Sequence, residues 1–101
     1  MDLHGRLSRV SGFQSDAGDI EKNWHSHQVA SAECEQVFFN RPLIAATDVV
    51  HSEVEERFFC LAQTHAGRLL FIAFTLRGEL VRVISARDMS RKERKACEVH
   101  G

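Results

Sequence analysis

The chain has 101 residues, 44% of them apolar and 27% charged, the balance of a soluble globular protein and enough for one core without staples. The formal net charge of −1 excludes a protein that coats nucleic acid through bulk electrostatics. No apolar run approaches the roughly 20 residues that span a bilayer, and "MDLHGRLSRV" lacks the apolar core of a secretory signal, so no membrane association and a cytoplasmic location are expected.

A single domain over residues 1–101 is expected, with residues 1–8 weakly periodic and frayed or an added lead-in. "RVSGF", residues 9–13, reads as a short first strand weakened by Gly12. "SDAGD" is turn chemistry, with Asp19 as N-cap of a helix over "IEKNWHSH". Ile20, Asn23, Trp24 and His27 have the spacing of one helical face. Ser31 caps a second helix, "AECEQVFF", which "NRP" at 40–42 ends because Pro42 cannot continue it. Four strand-like runs follow: "LIAAT" from Leu43, "RFFCLAQT" from Arg57, "RLLFIAFTL" from Arg68 and "ELVRVISAR" from Glu79. Their short links predict antiparallel neighbours, and the third run, apolar on both alternations, reads as a central strand covered on both faces. Ser90-x-x-Glu93 is a capping box opening a short terminal helix, "RKERKACE". The expected fold is α+β, with two N-terminal helices packed on an antiparallel sheet of four or five strands and a short C-terminal helix.

Charge is unevenly spread. Residues 15–56 are rich in Asp and Glu, and basic residues dominate from Arg57 onward. In the last strand, strict alternation sends Arg82 and Arg87 to opposite faces unless a bulge intervenes. At least one then stands on an open sheet face near Arg57 or Arg77, where planar guanidinium forks suit phosphate. The competing reading pairs each arginine with a carboxylate of "SEVEE". His25 and His27, two apart on a helix, point to different sides and cannot easily share a metal. His51 with Glu53 and Glu55 has no standard ligand spacing. No metal and no cofactor are expected. Cys34, Cys60 and Cys97 form no C-x-x-C, are odd in number and read as buried or incidental thiols.

"DIEKNWHSHQVASAECEQVFFNRPL" and "HSEVEERFFCLAQTHAGRLLFIAFTLRGELVRVISARDMSRKER" together resemble the BrnT family of type II toxins, over about Phe13 to Glu98. The pieces that carry the likeness are the Asn23-to-Val29 helical segment, H-S-E-x-E-E-R, G-R-L-L-F, and R-V-I-S-A-R leading into a basic helix. The resemblance implies a RelE-like fold and a ribonuclease that cuts RNA without a metal. It also implies a cognate ribbon-helix-helix antitoxin, with promoter DNA bound only through the toxin–antitoxin complex. Attack of a 2′-hydroxyl on the adjacent phosphate needs a base, an acid and cationic stabilisation. For these roles His27 is the candidate acid or base. Arg57, Arg77, Arg82 and Arg87 are the candidate phosphate contacts, and Glu56 is a candidate base or arginine-orienting group. The chain departs from the family pattern in three places. Ser26-His27 replaces Lys-His, Ser15-Asp16 replaces Trp-Asp, and Gln28 stands where a glycine follows the histidine. The alternative reading is a non-catalytic interaction subunit acting with its antitoxin in autoregulation; growth arrest on induction, relieved by the neighbouring gene, separates the two.

Overall fold

The computed structural model describes residues 2–14, 16–52 and 54–100. The four runs after Pro42 become strands β2 (Ile44–Thr47), β3 (Phe58–Gln63), β4 (Leu69–Arg77) and β5 (Leu80–Asp88), each antiparallel to the next. Gly78 lies between the paired residues Arg77 and Leu80 with φ of 62°. A two-residue hairpin loop needs that positive φ, and glycine adopts it without a Cβ clash. A fifth strand, β1 (Gly12–Phe13), adds to β5, giving the order β1-β5-β4-β3-β2. β1 runs parallel to β5, so the sheet is mixed and not antiparallel throughout. The short-link argument governs sequential strands; β1 reaches β5 from far away in the chain, held by Ser11 N–H to Glu79 O at 2.9 Å and Gln14 N–H to Val81 O at 2.8 Å.

The helical part also differs from expectation. Residues expected to be frayed form α1 (Leu3–Ser8), whose N-terminus is closed by Asp2 accepting from Gly5 N–H at 2.8 Å. Leu3 and Leu7, one turn apart, pack against the core and hold this short helix in place. Helix α2 (Ala17–His27) starts earlier than Asp19 suggested, because Asp16 is the N-cap and accepts from Gly18 and Asp19 N–H. Its expected apolar face is not the buried one: Ile20, Trp24 and His27 are exposed and only Asn23 is buried. The reason is that α2 borders the edge of β5 beyond β1. Asn23 Oδ1 accepts from Ala86 N–H at 3.1 Å and Lys22 Nζ donates to Ile84 O at 3.1 Å, so polar groups complete the open ladder of β5. Helix α3 (Ser31–Gln36) is capped at Ala30, one residue before the expected Ser31, with Glu33 reaching back to Ala30 N–H at 3.1 Å. A 3-10 turn, Val37–Phe39, continues it.

Two apolar clusters lie on opposite faces of the sheet. One joins Val29, Cys34 and Val37 to Phe58, Cys60, Leu70, Ile72, Phe74 and Val81. The other places Leu61 and Phe71 beneath Met89 and Cys97 of the C-terminal segment. Central β4 is thus covered on both sides, as its unbroken apolar run predicts. The Ser90 capping box forms in both directions and opens α4 (Arg91–His100). The three thiols are free and buried, and burial pushes the Cys34 thiol up to about 11.

Helix α2 ends on Gln28 with φ 53° and ψ 44°, in the left-handed region. The resemblance implies a glycine at this position, and a Cβ in the left-handed conformation costs roughly 1 kcal/mol. The Gln28 side chain is exposed, and its carbonyl bond to Arg68 is available to any residue. Gln28→Gly is therefore expected to raise the melting temperature by about 4–8 °C. A thermal melt at or below the parent value would count against strain at this cap.

Candidate active site

The pairing of β4 with β5 decides where the arginines stand. Ala73 lies opposite Ser85 but Phe74 opposite Val83, so Ile84 is an extra residue in β5. Two residues facing one make a bulge, and the extra residue reverses the alternation beyond it. Val81 and Ala86 are buried toward the larger cluster on either side of the bulge. Arg82 and Arg87 consequently share the opposite face.

They are held in different ways. Arg87 makes two parallel bonds to Glu93, Nη1–Oε1 at 2.8 Å and Nη2–Oε2 at 2.9 Å, and its guanidinium lies 4.2 Å from the Phe71 ring centre. The Arg87 bond holds the Glu93 carboxyl below its usual range. Arg82 meets Asp16 Oδ2 and Asp19 Oδ2 at 3.3 Å each, both through the single nitrogen Nη2. Arg87 is a structural clamp between β5 and α4. Arg82 is loosely tethered, with most of its donors uncommitted among the described residues.

The β2–β3 connection faces Arg82. Asp48 organises it: its carboxylate accepts from His51 N–H at 3.3 Å and pairs with His51 Nδ1 at 2.8 Å. Ser52 Oγ donates to Asp48 O at 2.6 Å and accepts from Arg57 N–H at 3.0 Å, closing the neck of the loop. The bond to Asp48 requires a hydrogen on His51 Nδ1, so in the neutral ring Nε2 is the acceptor. That bond also holds the Asp48 carboxyl below its ordinary range. Between loop and strand lies an open cleft of about 580 Å³, lined by Asp19, His51, Glu55, Arg57, Arg82 and Ile84, with Val50 and Val54 at its rim. Glu55 is bound to Arg77 at 3.1 Å, and this bond keeps its carboxyl ionised below the usual range, which makes it a poor base.

Of the residues nominated from sequence, Arg57 and Arg82 line the cleft, and Arg77 adjoins it through Glu55. Arg87 is engaged elsewhere. Glu56 points away and pairs with Arg6 at 3.2 Å. His27 sits at the far end of α2 from Asp19, where its carbonyl accepts from Arg68 at 3.2 Å. Among the described residues, the carboxylates that take Arg82 and Arg87 come from the start of α2 and from α4, and of the nominated arginines only Arg77 finds its partner in "SEVEE". Ser15 and Glu53 lie outside the described residues. The cleft also takes in His51, raised from the sequence only beside Glu53 and Glu55, and through it Asp48, which was not nominated; Asp48-x-x-His51 in a loop was the available signal, because that spacing closes an Asx-type turn. Among the described residues, no three His, Cys, Asp or Glu side chains are grouped to hold a metal ion.

Residues 16–93 match the family model described as "Ribonuclease toxin, BrnT, of type II toxin-antitoxin system". The chain belongs to the BrnT family. The match runs from the Asp16 cap of α2 to Glu93, the Arg87 partner, and so contains the whole cleft. Helix α1 and strand β1 precede it, so the Arg6 clamp on Glu56 comes from outside the family core. No curated protein sequence matches the chain. A BrnT-family toxin is one half of a toxin–antitoxin pair, so a cognate antitoxin is its partner. No helix among the described residues is long and apolar enough to cross a membrane.

Proposed function

We propose that this BrnT-family chain is an RNA endonuclease that works without a divalent metal and inhibits translation in the cytoplasm. The supporting observation is Arg82, held by one nitrogen at 3.3 Å across a cleft from the Asp48–His51 pair. In this reading a phosphodiester lies between them, with Arg82 and Arg57 on its non-bridging oxygens. His51 Nε2 removes the proton of the 2′-hydroxyl. The 2′-oxygen then bonds to phosphorus, the bond to the 5′-oxygen breaks, and that oxygen takes a proton from water in the open cleft. The products are a 2′,3′-cyclic phosphate and a 5′-hydroxyl. The arginines stabilise charge that builds up on the phosphorane, the part of such reactions that preorganised donors accelerate most. Asp48 keeps the imidazole in the useful tautomer. Val50 and Val54, both strongly exposed, offer an apolar rim for a base.

The partner in this reading is a ribbon-helix-helix antitoxin, and promoter DNA is bound only by the complex. The test is incubation of purified protein with an oligoribonucleotide in excess chelator. Cleavage is expected to persist, to leave a cyclic phosphate, and to stop when the reacting 2′-hydroxyl is replaced by hydrogen. Activity lost in chelator and restored by magnesium would reject the metal-free route.

A further inference from the structure

Thr75 is fully buried, and its Oγ1 is the one buried side-chain oxygen without a hydrogen-bond partner among the described residues. Buried hydroxyls are rarely left so, because their lost hydration is not replaced; a valine of the same shape would avoid the penalty. Its position is informative. Thr75 lies directly opposite Arg82 in the β4–β5 register, on the face that bears the cleft. On its other side Phe74 faces Phe58, the first residue of β3, and Arg57 immediately precedes it. In strand register Thr75 thus stands between the two arginines that line the cleft. In the structure the Arg82 contacts to carboxylate both run through Nη2, toward α2.

We infer that Thr75 is a positioning residue for Arg82: its hydroxyl accepts an N–H of the guanidinium once a phosphate draws that group away from Asp16 and Asp19. Arg82 then has two stations, one on the carboxylates of α2 and one over Thr75 with its fork on the phosphate. The hydroxyl is unpaired only in the first. A planar fork fixed at one nitrogen has a defined direction for the others, which is what a phosphate contact in the transition state requires. This inference rests on the proposed phosphate role of Arg82.

The experiment compares Thr75→Val and Thr75→Ser with the parent in thermal melts and in steady-state cleavage of one oligoribonucleotide, alone and in the Arg82→Gln background. Thr75→Val is expected to melt at or above the parent temperature while kcat falls on the order of tenfold and KM changes little. Thr75→Ser, which keeps the hydroxyl, is expected to recover most of kcat. With Arg82 already replaced by Gln, the valine should cause no further loss, because its effect runs through the guanidinium. A Thr75→Val protein that cuts at the parent rate overturns the inference. So does a slower one that melts lower and is not rescued by serine, or one whose loss is additive with Arg82→Gln. Parent-rate cleavage by Arg82→Gln alone would instead overturn the phosphate role of Arg82 and this inference with it.

Discussion

Arg82→Gln is expected to lower kcat for RNA cleavage by about 10²–10³-fold with little change in melting temperature. Arg87→Gln is expected to do the reverse, lowering stability by about 1 kcal/mol after solvent screening and affecting cleavage only in proportion to unfolding. Exposure alone would rank them otherwise, since the Arg87 side chain is 38% exposed against 24% for Arg82. Bond geometry is the better guide. Two parallel bonds under 3 Å and a face-on aromatic ring hold Arg87 in one place, so little of it is available to a substrate. Arg82 spends one nitrogen on two longer contacts and keeps its other donors for the cleft. The discriminating data are kcat, KM and thermal melts of both variants. If Arg87→Gln melts like the parent and loses cleavage, the assignment of roles to the two arginines is inverted.

Among the arginines, the largest loss of stability is expected from Arg68→Ala, about 2–3 kcal/mol, or a fall in melting temperature of roughly 10 °C or more. Arg68 gathers four separate pieces of chain. Its Nε donates to Asp88 Oδ1 at 2.9 Å, Nη1 to Glu33 at 3.1 Å and to Gln28 O at 3.0 Å, and Nη2 to His27 O at 3.2 Å. One guanidinium therefore ties the C-terminus of α2, the first turn of α3 and the end of β5 to the start of β4. At a helix C-terminus a fixed cation also meets carbonyls that lack intrahelical partners. The Asp88 carboxyl is held below its usual range chiefly by its bond to Arg68. Arg68→Lys should recover little, because an ammonium group cannot reach four partners in one plane. Urea titrations of the three proteins give the comparison; an alanine variant within a few tenths of a kcal/mol of the parent would show that the pairs merely exchange with water.

The site was only partly legible in the residues. Arg57 and Arg82 were identifiable as cations beside strands, and both reach the cleft. His27 was nominated for acid–base chemistry and for its place in a family-like helix; the cleft that holds Arg57 and Arg82 lies toward the other end of that helix. His51 was visible only as a metal-ligand candidate, because the bond that gives it a tautomer and a direction depends on the loop closing at Asp48 and Ser52.

What the sequence determined by itself is what local physics determines. The runs that became β2 to β5, the glycine in the β4–β5 turn, the Ser90 capping box and the doubly covered β4 all follow from period, turn chemistry and neighbours within a few residues. Tertiary structure decided the rest. Helix α1 is too short to persist alone and exists because Leu3 and Leu7 find a core. The buried face of α2 is set by the backbone of β5 needing Asn23, not by the apolar residues of α2 itself. The shared face of Arg82 and Arg87 comes from one extra residue in the pairing of two strands, which neither strand carries alone. Which arginine is locked and which stands ready depends on carboxylates brought from α2, more than 60 residues away in the chain, and from α4. Such pairings are chosen by the packed fold, because the strength of an ion pair depends on distance and burial that do not exist until the chain has folded.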